Sequence, residues 1–239
     1  PFLPPHAHYS HWIYSLTGGG EQQSTLRVCA EAFFSKSIIV CEGKTEIGLV
    51  KGIDLYHQEQ GGLSIQAYGT YYADGGGDNM FQRAKVFKSL GYQTSIFKDS
   101  DKNAEHADFI NEARKIGITL FEWGNDYATE DALFECCPQT AISNLLTYAI
   151  ERKGRDSINA NIQSFSKNKI SLDDCLSSFD DSMRGVLSKA AKKKSWFKDI
   201  EPAEMIARTI VMPNYDDFLD IFKSPVNDLF SWARPQGVQ

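Results

Sequence analysis

Between Ser37 and Phe134 the sequence alternates four times between a short apolar run and a segment of helical period, which leaves few architectures open. Ser37-Ile38-Ile39-Val40-Cys41 is a continuous β-branched run with no polar face, the pattern of a strand buried on both sides of a sheet. Further strands are expected at Leu63 to Tyr68, Thr94 to Phe97 and Ile118 to Phe121. Helices are expected at about Thr45 to Gln58, Asn79 to Leu90, Ala107 to Ile116 and Thr129 to Phe134. Gly91 and Gly117 stand just past the last periodic residue of two of these helices, where a helix commonly stops. Strands separated by single helices read as an α/β fold with a central parallel sheet of about four strands and right-handed crossovers.

The flanks differ in character. Thr25 to Phe34 reads as a helix leading into the first strand, and beyond Pro138 no strand pattern recurs. Ile142 to Arg152, Leu172 to Lys189 and Ala203 to Ile210 carry helical periodicity, followed by short helices at Asp216 to Phe222 and Asp228 to Ala233, divided by Pro225. The chain opens on Pro1-Phe2-Leu3-Pro4-Pro5, without Met and without period, so it is expected to be part of a longer polypeptide. The expected organisation is residues 1–36 as the remnant of, or linker from, a missing N-terminal domain, 37–137 as the α/β domain and 138–239 as an all-helical extension.

Composition narrows the classes of function. With 239 residues and 42% hydrophobic content the chain can bury a large core. No apolar run approaches the roughly 20 residues of a membrane span, and the N-terminus does not resemble a signal peptide, so a cytoplasmic protein without a membrane partner is expected. The five cysteines lack C-x-x-C spacing and two, Cys136 and Cys137, are adjacent; they read as reduced, core-filling thiols. A net charge of −6 argues against a broad basic footprint for nucleic acid. Lys189, Lys192, Lys193, Lys194 and Lys198 nevertheless cluster and leave room for a local basic face.

The chemistry is carried by acidic residues at strand ends. Glu42 follows the first strand and Asp99-Ser100-Asp101 follows the third, so in a parallel sheet both emerge at the carboxyl edge, where such sheets build their sites. Carboxylates gathered there repel one another unless a cation neutralises them, and hard oxygen ligands select Mg²⁺ or Mn²⁺. Glu46, one helical turn beyond Glu42, faces the same way. Gly43-Lys44-Thr45 imitates the end of a phosphate-binding loop, but Ile38 stands where its first glycine is required, so no ATP site is expected in this chain. Glu105, Glu112, Asp173, Asp174, Asp216 and Asp217 read as solvated surface, Trp196 and Phe197 as core, and His57 and His106 as isolated surface residues. His6, His8 and His11 have a spacing that suits metal but sit in an irregular terminal segment.

The order strand, Glu42-Gly43, helix with Glu46, Gly75-Gly76-Gly77, strand and Asp99-x-Asp101 resembles the Toprim domain. The lead-in Ala30-Glu31-Ala32-Phe33-Phe34-Ser35-Lys36 resembles the junction between ATPase and Toprim regions in the OLD (overcoming lysogenization defect) nucleases, over about residues 25 to 136. The resemblance implies a metal-dependent DNA endonuclease with two Mg²⁺ or Mn²⁺ ions. Glu42, Asp99 and Asp101 would hold one ion, and Glu46 with Glu130, or Asp131 in its place, the second. A lysine of the extension, Lys194 or its rival Lys198, would offset charge in the transition state. Asp78 departs from the family, which often carries a basic residue after the glycine triplet. The implied partners are DNA and an N-terminal ATPase domain of the same full-length protein, through which ATP would act and copies would associate, in bacterial antiphage defence. Topoisomerases and primases also carry Toprim domains, and a non-catalytic metal-binding DNA-interaction domain is the remaining alternative.

Overall fold

The computed structural model describes residues 20–235, so His6, His8 and His11 lie outside the described residues. Four strands, β1 (Ser37–Cys41), β2 (Thr70–Asp74), β3 (Gln93–Lys98) and β4 (Thr119–Glu122), form one all-parallel sheet in the order β2-β1-β3-β4. Every residue of β1 is buried, as its unbroken apolar run requires. Alternation along the strands sends Ile38, Val40 and Ile96 to one core and Ile39, Cys41 and Phe97 to another. Helices α3 (Met80–Ser89) and α4 (Ala107–Lys115) cover the first face, with Phe81, Ala84, Phe87, Ile110 and Ala113 buried there. Helices α2 (Lys44–Glu59) and α5 (Thr129–Cys136) cover the second.

The chain passes from β1 outward to the edge strand β2, then crosses back to place β3 on the other side of β1. This reversal opens a crevice at the carboxyl ends of β1 and β3, the usual binding position in an open parallel sheet. The pairing Cys41↔Phe97 puts Glu42 and Asp99 on either side of it.

Several expected elements are displaced. Leu63 to Tyr68 is not a strand: Ser64 accepts a hydrogen bond from Ala67 N at 3.2 Å and starts a 3₁₀ turn over Ile65–Tyr68, and β2 begins only after Gly69, whose φ of 81° turns the chain. Before β1, the single expected helix is α1 (Glu21–Val28) followed by a 3₁₀ turn, Ala30–Phe34.

After α5 the described chain is helix and turn. It runs through α6 (Gln139–Lys153), α7 (Arg155–Ser166), α8 (Leu172–Ser177), α9 (Arg184–Lys194), α10 (Ile200–Ile206) and α11 (Asp220–Ala233). The expected helix from Leu172 to Lys189 is cut in two because Asp180 accepts a hydrogen bond from Ser182 N and starts a new turn. The two expected terminal helices are one, with Pro225 inside α11. The extension shares one core with the sheet: Trp123 stacks on Phe222 at 4.9 Å, and Trp196 and Phe197 are buried beside Phe134, as expected of core residues. At the amino edge of the sheet, Thr70 Oγ1 donates to Ala233 O at 2.7 Å, and Arg234 forms a 2.7 Å ion pair with buried Asp54 of α2.

The contact between α2 and α10 is glycine-mediated. A Cβ placed on Gly48 of α2 would sit 2.4 Å from the carbonyl oxygen of Ile200, and one on Gly52 would sit 2.3 Å from that of Glu204. Both obstacles are backbone, so neither can yield by a rotamer change. Glycine in a helix interior costs about 0.5–1 kcal/mol relative to alanine, which here is the condition for α2 and α10 to touch backbone to backbone. Gly52→Ala is therefore expected to destabilise the protein by about 1–3 kcal/mol despite the better helix former, read as a lower denaturant midpoint; an unchanged or raised midpoint would refute the close contact.

Candidate active site

A cavity of about 420 Å³ opens at the crevice between β1 and β3. Glu42, Glu46, Asp99, Asp101 and Glu130 line it together with Lys44, Lys102, Lys192 and Lys198. All five carboxylates expected from the sequence thus meet here. Lys194 does not: it is exposed at the end of α9 and outside the cavity, whereas its rival Lys198 lines it.

Three of the carboxylates are held by backbone donors. Glu42 Oε2 accepts from the backbone N of Asp99 at 3.0 Å, tying the ends of β1 and β3 together. Glu46 Oε2 accepts from Gly43 N at 2.9 Å, which satisfies a free donor at the start of α2. Asp99 Oδ1 accepts from Thr129 N at 2.9 Å and so caps α5 from a distant part of the chain, where the helix dipole favours an anion. Asp131 accepts from Ala128 N at 3.1 Å and from Lys192, while the buried Glu130 faces the cavity; this separates two residues that the sequence left as alternatives.

The glycine triplet shapes one wall. A Cβ on Gly75 would lie 2.3 Å from the carbonyl oxygen of Cys41, and Gly77 N donates to the carbonyl of Glu42 at 2.8 Å, so the loop folds directly onto the end of β1. Asp78 lies 3.7 Å from Lys102 and 3.4 Å from Nε2 of His106. His106, expected on the surface, is buried against Phe81.

Thr129 and Lys98 also stand at the site although no sequence motif points to them, and Lys192 is marked in the sequence only as a member of the lysine cluster. Thr129 Oγ1 lies 2.9 Å from Glu46 Oε1 and 3.0 Å from Asp99 Oδ1, and it also accepts from Trp123 Nε1 at 3.0 Å. Lys98 is fully buried beneath the site, donating to the carbonyl of Asp99, to Asn103 Oδ1 at 2.6 Å and to Glu122 Oε2 at 3.2 Å. Lys192 donates to Asp101 Oδ2 at 2.7 Å. A charged residue inside the apolar strand Gln93–Lys98 was the available signal for Lys98. Nothing local distinguishes Lys192 from Lys193.

The electrostatics are those of crowded anions. Burial, then the charge of Glu42, pushes the Glu46 carboxyl from 4.5 up to about 7. Asp99 is raised well above its ordinary range by burial and by Glu46, Glu42 and Glu130, and Glu130 is raised chiefly by burial. Thr129 has one hydroxyl proton for two carboxylates, so Glu46 and Asp99 together lack a proton or a cation. Among the described residues no three His, Cys, Asp or Glu side chains already stand as a preformed metal cluster. The donor set nevertheless suits a hard divalent ion: several anionic oxygens, part-buried and mutually repelling.

A pH dependence follows. The folded chain holds a proton on Glu46 up to about pH 7, whereas the ordinary value is 4.5, so stability is gained below that ordinary value and lost as pH rises through about 7. Asp99 and Glu130 shift in the same direction, while His57, lowered by burial, opposes them only below its ordinary 6.5. Without divalent ions, the melting temperature is expected to be higher near about pH 6.5 than near about pH 8, and Glu46→Gln is expected to shrink that difference. Equal melting temperatures in the parent chain would refute the crowded-anion description.

Residues 33–101 match the family described as "Overcoming lysogenization defect protein-like, TOPRIM domain". Among curated proteins nothing matches the chain. Among solved structures, the C-terminal region of the Xanthomonas campestris pv. campestris OLD protein is similar at 16% identity, covering 85% of this chain and 96% of that one with a TM-score of 0.48. The matched span holds β1, α2, the glycine triplet, β3 and the Asp99-Ser100-Asp101 turn. Over residues 33–101 the chain is thus similar to the Toprim domain of OLD-like proteins.

Proposed function

We propose that this chain is the catalytic part of a divalent-metal-dependent DNA endonuclease. The observation that carries the reading is one cavity with five carboxylates and four lysines on its wall, at the reversal point of a parallel sheet. Carboxylates recruit hard cations, and lysines around them suit a polyanionic strand. In this reading Glu42, Asp99 and Asp101 hold one ion, and Glu46 and Glu130 a second; Mg²⁺ or Mn²⁺ fits the oxygen donors. Bound ions would supply an activated water and neutralise charge on the phosphodiester leaving group. Lys198 stands at the wall where an ammonium can offset charge developing on the phosphoryl oxygens. In the same reading Lys44 and Lys102, which also line the cavity, would orient the entering strand. An ATPase domain of the same full-length protein is the proposed partner and the route for ATP, with copies associating through it and a role in antiphage defence.

Asp99→Asn and Asp101→Asn test the reading directly. Asp99→Asn keeps an oxygen able to cap α5 and should stay folded by circular dichroism. Each is expected to lower Mg²⁺- or Mn²⁺-dependent nicking of supercoiled plasmid by about 10²-fold or more; chelator should abolish it in the parent chain. Undiminished cleavage in both variants would overturn the assignment.

The lysines separate in a second experiment. Lys198→Ala is expected to lower the single-turnover rate by about 10²-fold to 10³-fold. Lys194→Ala should keep that rate at saturating DNA and show only weaker, less salt-dependent binding. The reverse pattern would restore Lys194 as the active-site lysine.

A further inference from the structure

The ammonium of Lys192 sits where the proposed reading needs a metal ligand to be free. It donates to Asp101 Oδ2 at 2.7 Å and reaches Asp131 Oδ2 at 3.5 Å, so it bridges the turn after β3 to the start of α5. The side chains are partly shielded, at 31% exposure for Lys192, 24% for Asp101 and 20% for Asp131, although Asp101 as a whole residue is exposed. Shielding of this kind retains more of an ion pair's strength than open solvent does. Helix α9, which carries Lys192, packs on α5, so the lysine is delivered by the extension onto the α/β unit.

We propose that Lys192 is a resident cation of the carboxylate site: its ammonium competes with a divalent ion for Asp101 and thereby sets the ion concentration at which the site fills. The inference rests on the two-metal reading above. Lys192 is a positioning residue, holding Asp101 in the ion-free protein. Asp131 is its second anchor, already within reach, so the ammonium can give up Asp101 to an incoming ion without being left unpaired. Asp131 is thereby a partner of the lysine, and Glu130 remains the acidic residue open to the cavity.

The test is calorimetric titration of Mn²⁺ into the folded chain at low ionic strength, without DNA. Lys192→Met is expected to bind Mn²⁺ about threefold to fivefold more tightly, the scale of a part-exposed ion pair. Lys193→Met removes the same charge from the exposed neighbouring position and should leave the affinity nearly unchanged. Lys192→Gln serves if the methionine variant does not fold, with circular dichroism as the check. If the parent binds Mn²⁺ and the Lys192 variants bind no tighter, the competition is overturned and the two-metal reading stands. Equal tightening in Lys193→Met would reduce the effect to general charge and overturn the proposal as well. If the parent chain binds no Mn²⁺, the two-metal reading fails and this inference with it.

Discussion

Confining several carboxylates to one small crevice is unfavourable, and much of the surrounding structure answers that repulsion. The sheet reversal forces Glu42 and Asp99 to share a space. Backbone donors at the starts of α2 and α5 and at the end of β3 then take up part of the negative charge. Lysines from the α/β unit and the extension stand at the wall and offset a further part of it. These contacts fix the acids in place but leave Glu46 and Asp99 short of positive charge, a state that a hard cation relieves and a hydrocarbon ligand would not.

The extension belongs to this arrangement. Close approach at Gly48 and Gly52 sets α10 against the first turns of α2, and the chain entering α10 carries Lys198 to the cavity. Helix α9 does the same for Lys192 through its contact with α5. A basic residue cluster on an acidic chain thus gains local meaning: two of its members face the carboxylates, while Lys193 and Lys194 face solvent. Among the described residues no helix is long and apolar enough to cross a membrane.

What the sequence made legible was what depends on periodicity and order. An unbroken apolar run fixed β1 as a central strand, and acids directly after β1 and β3 located the crevice once a parallel sheet was inferred. The misplaced β2 shows the limit: Leu63 to Tyr68 is apolar enough for a strand, yet a serine-capped turn and a left-handed glycine claim it. Helix α7 lies outside every expected helix, and α11 passes through Pro225, expected to divide two helices. Among the lysines, that Lys198 and not Lys194 lines the cavity depends on the direction in which α9 ends, a matter of tertiary packing. His106 was misjudged for the same reason, since burial against Phe81 leaves no local trace.

The contacts made by the final turns of α11 carry a consequence for how the chain can be divided. Ala233 and Arg234 reach back to Thr70 and Asp54, at the edge of the sheet remote from the crevice, while α9 and α10 grip the other end. The end of α11 therefore fastens onto the unit begun by the first strand, in the manner of a belt whose buckle lies beside its start. Ending the chain after β4 or α5 would not leave a smaller unit with a complete core. It would uncover the apolar face beneath Trp123 and Phe121 and strand the charge of Asp54.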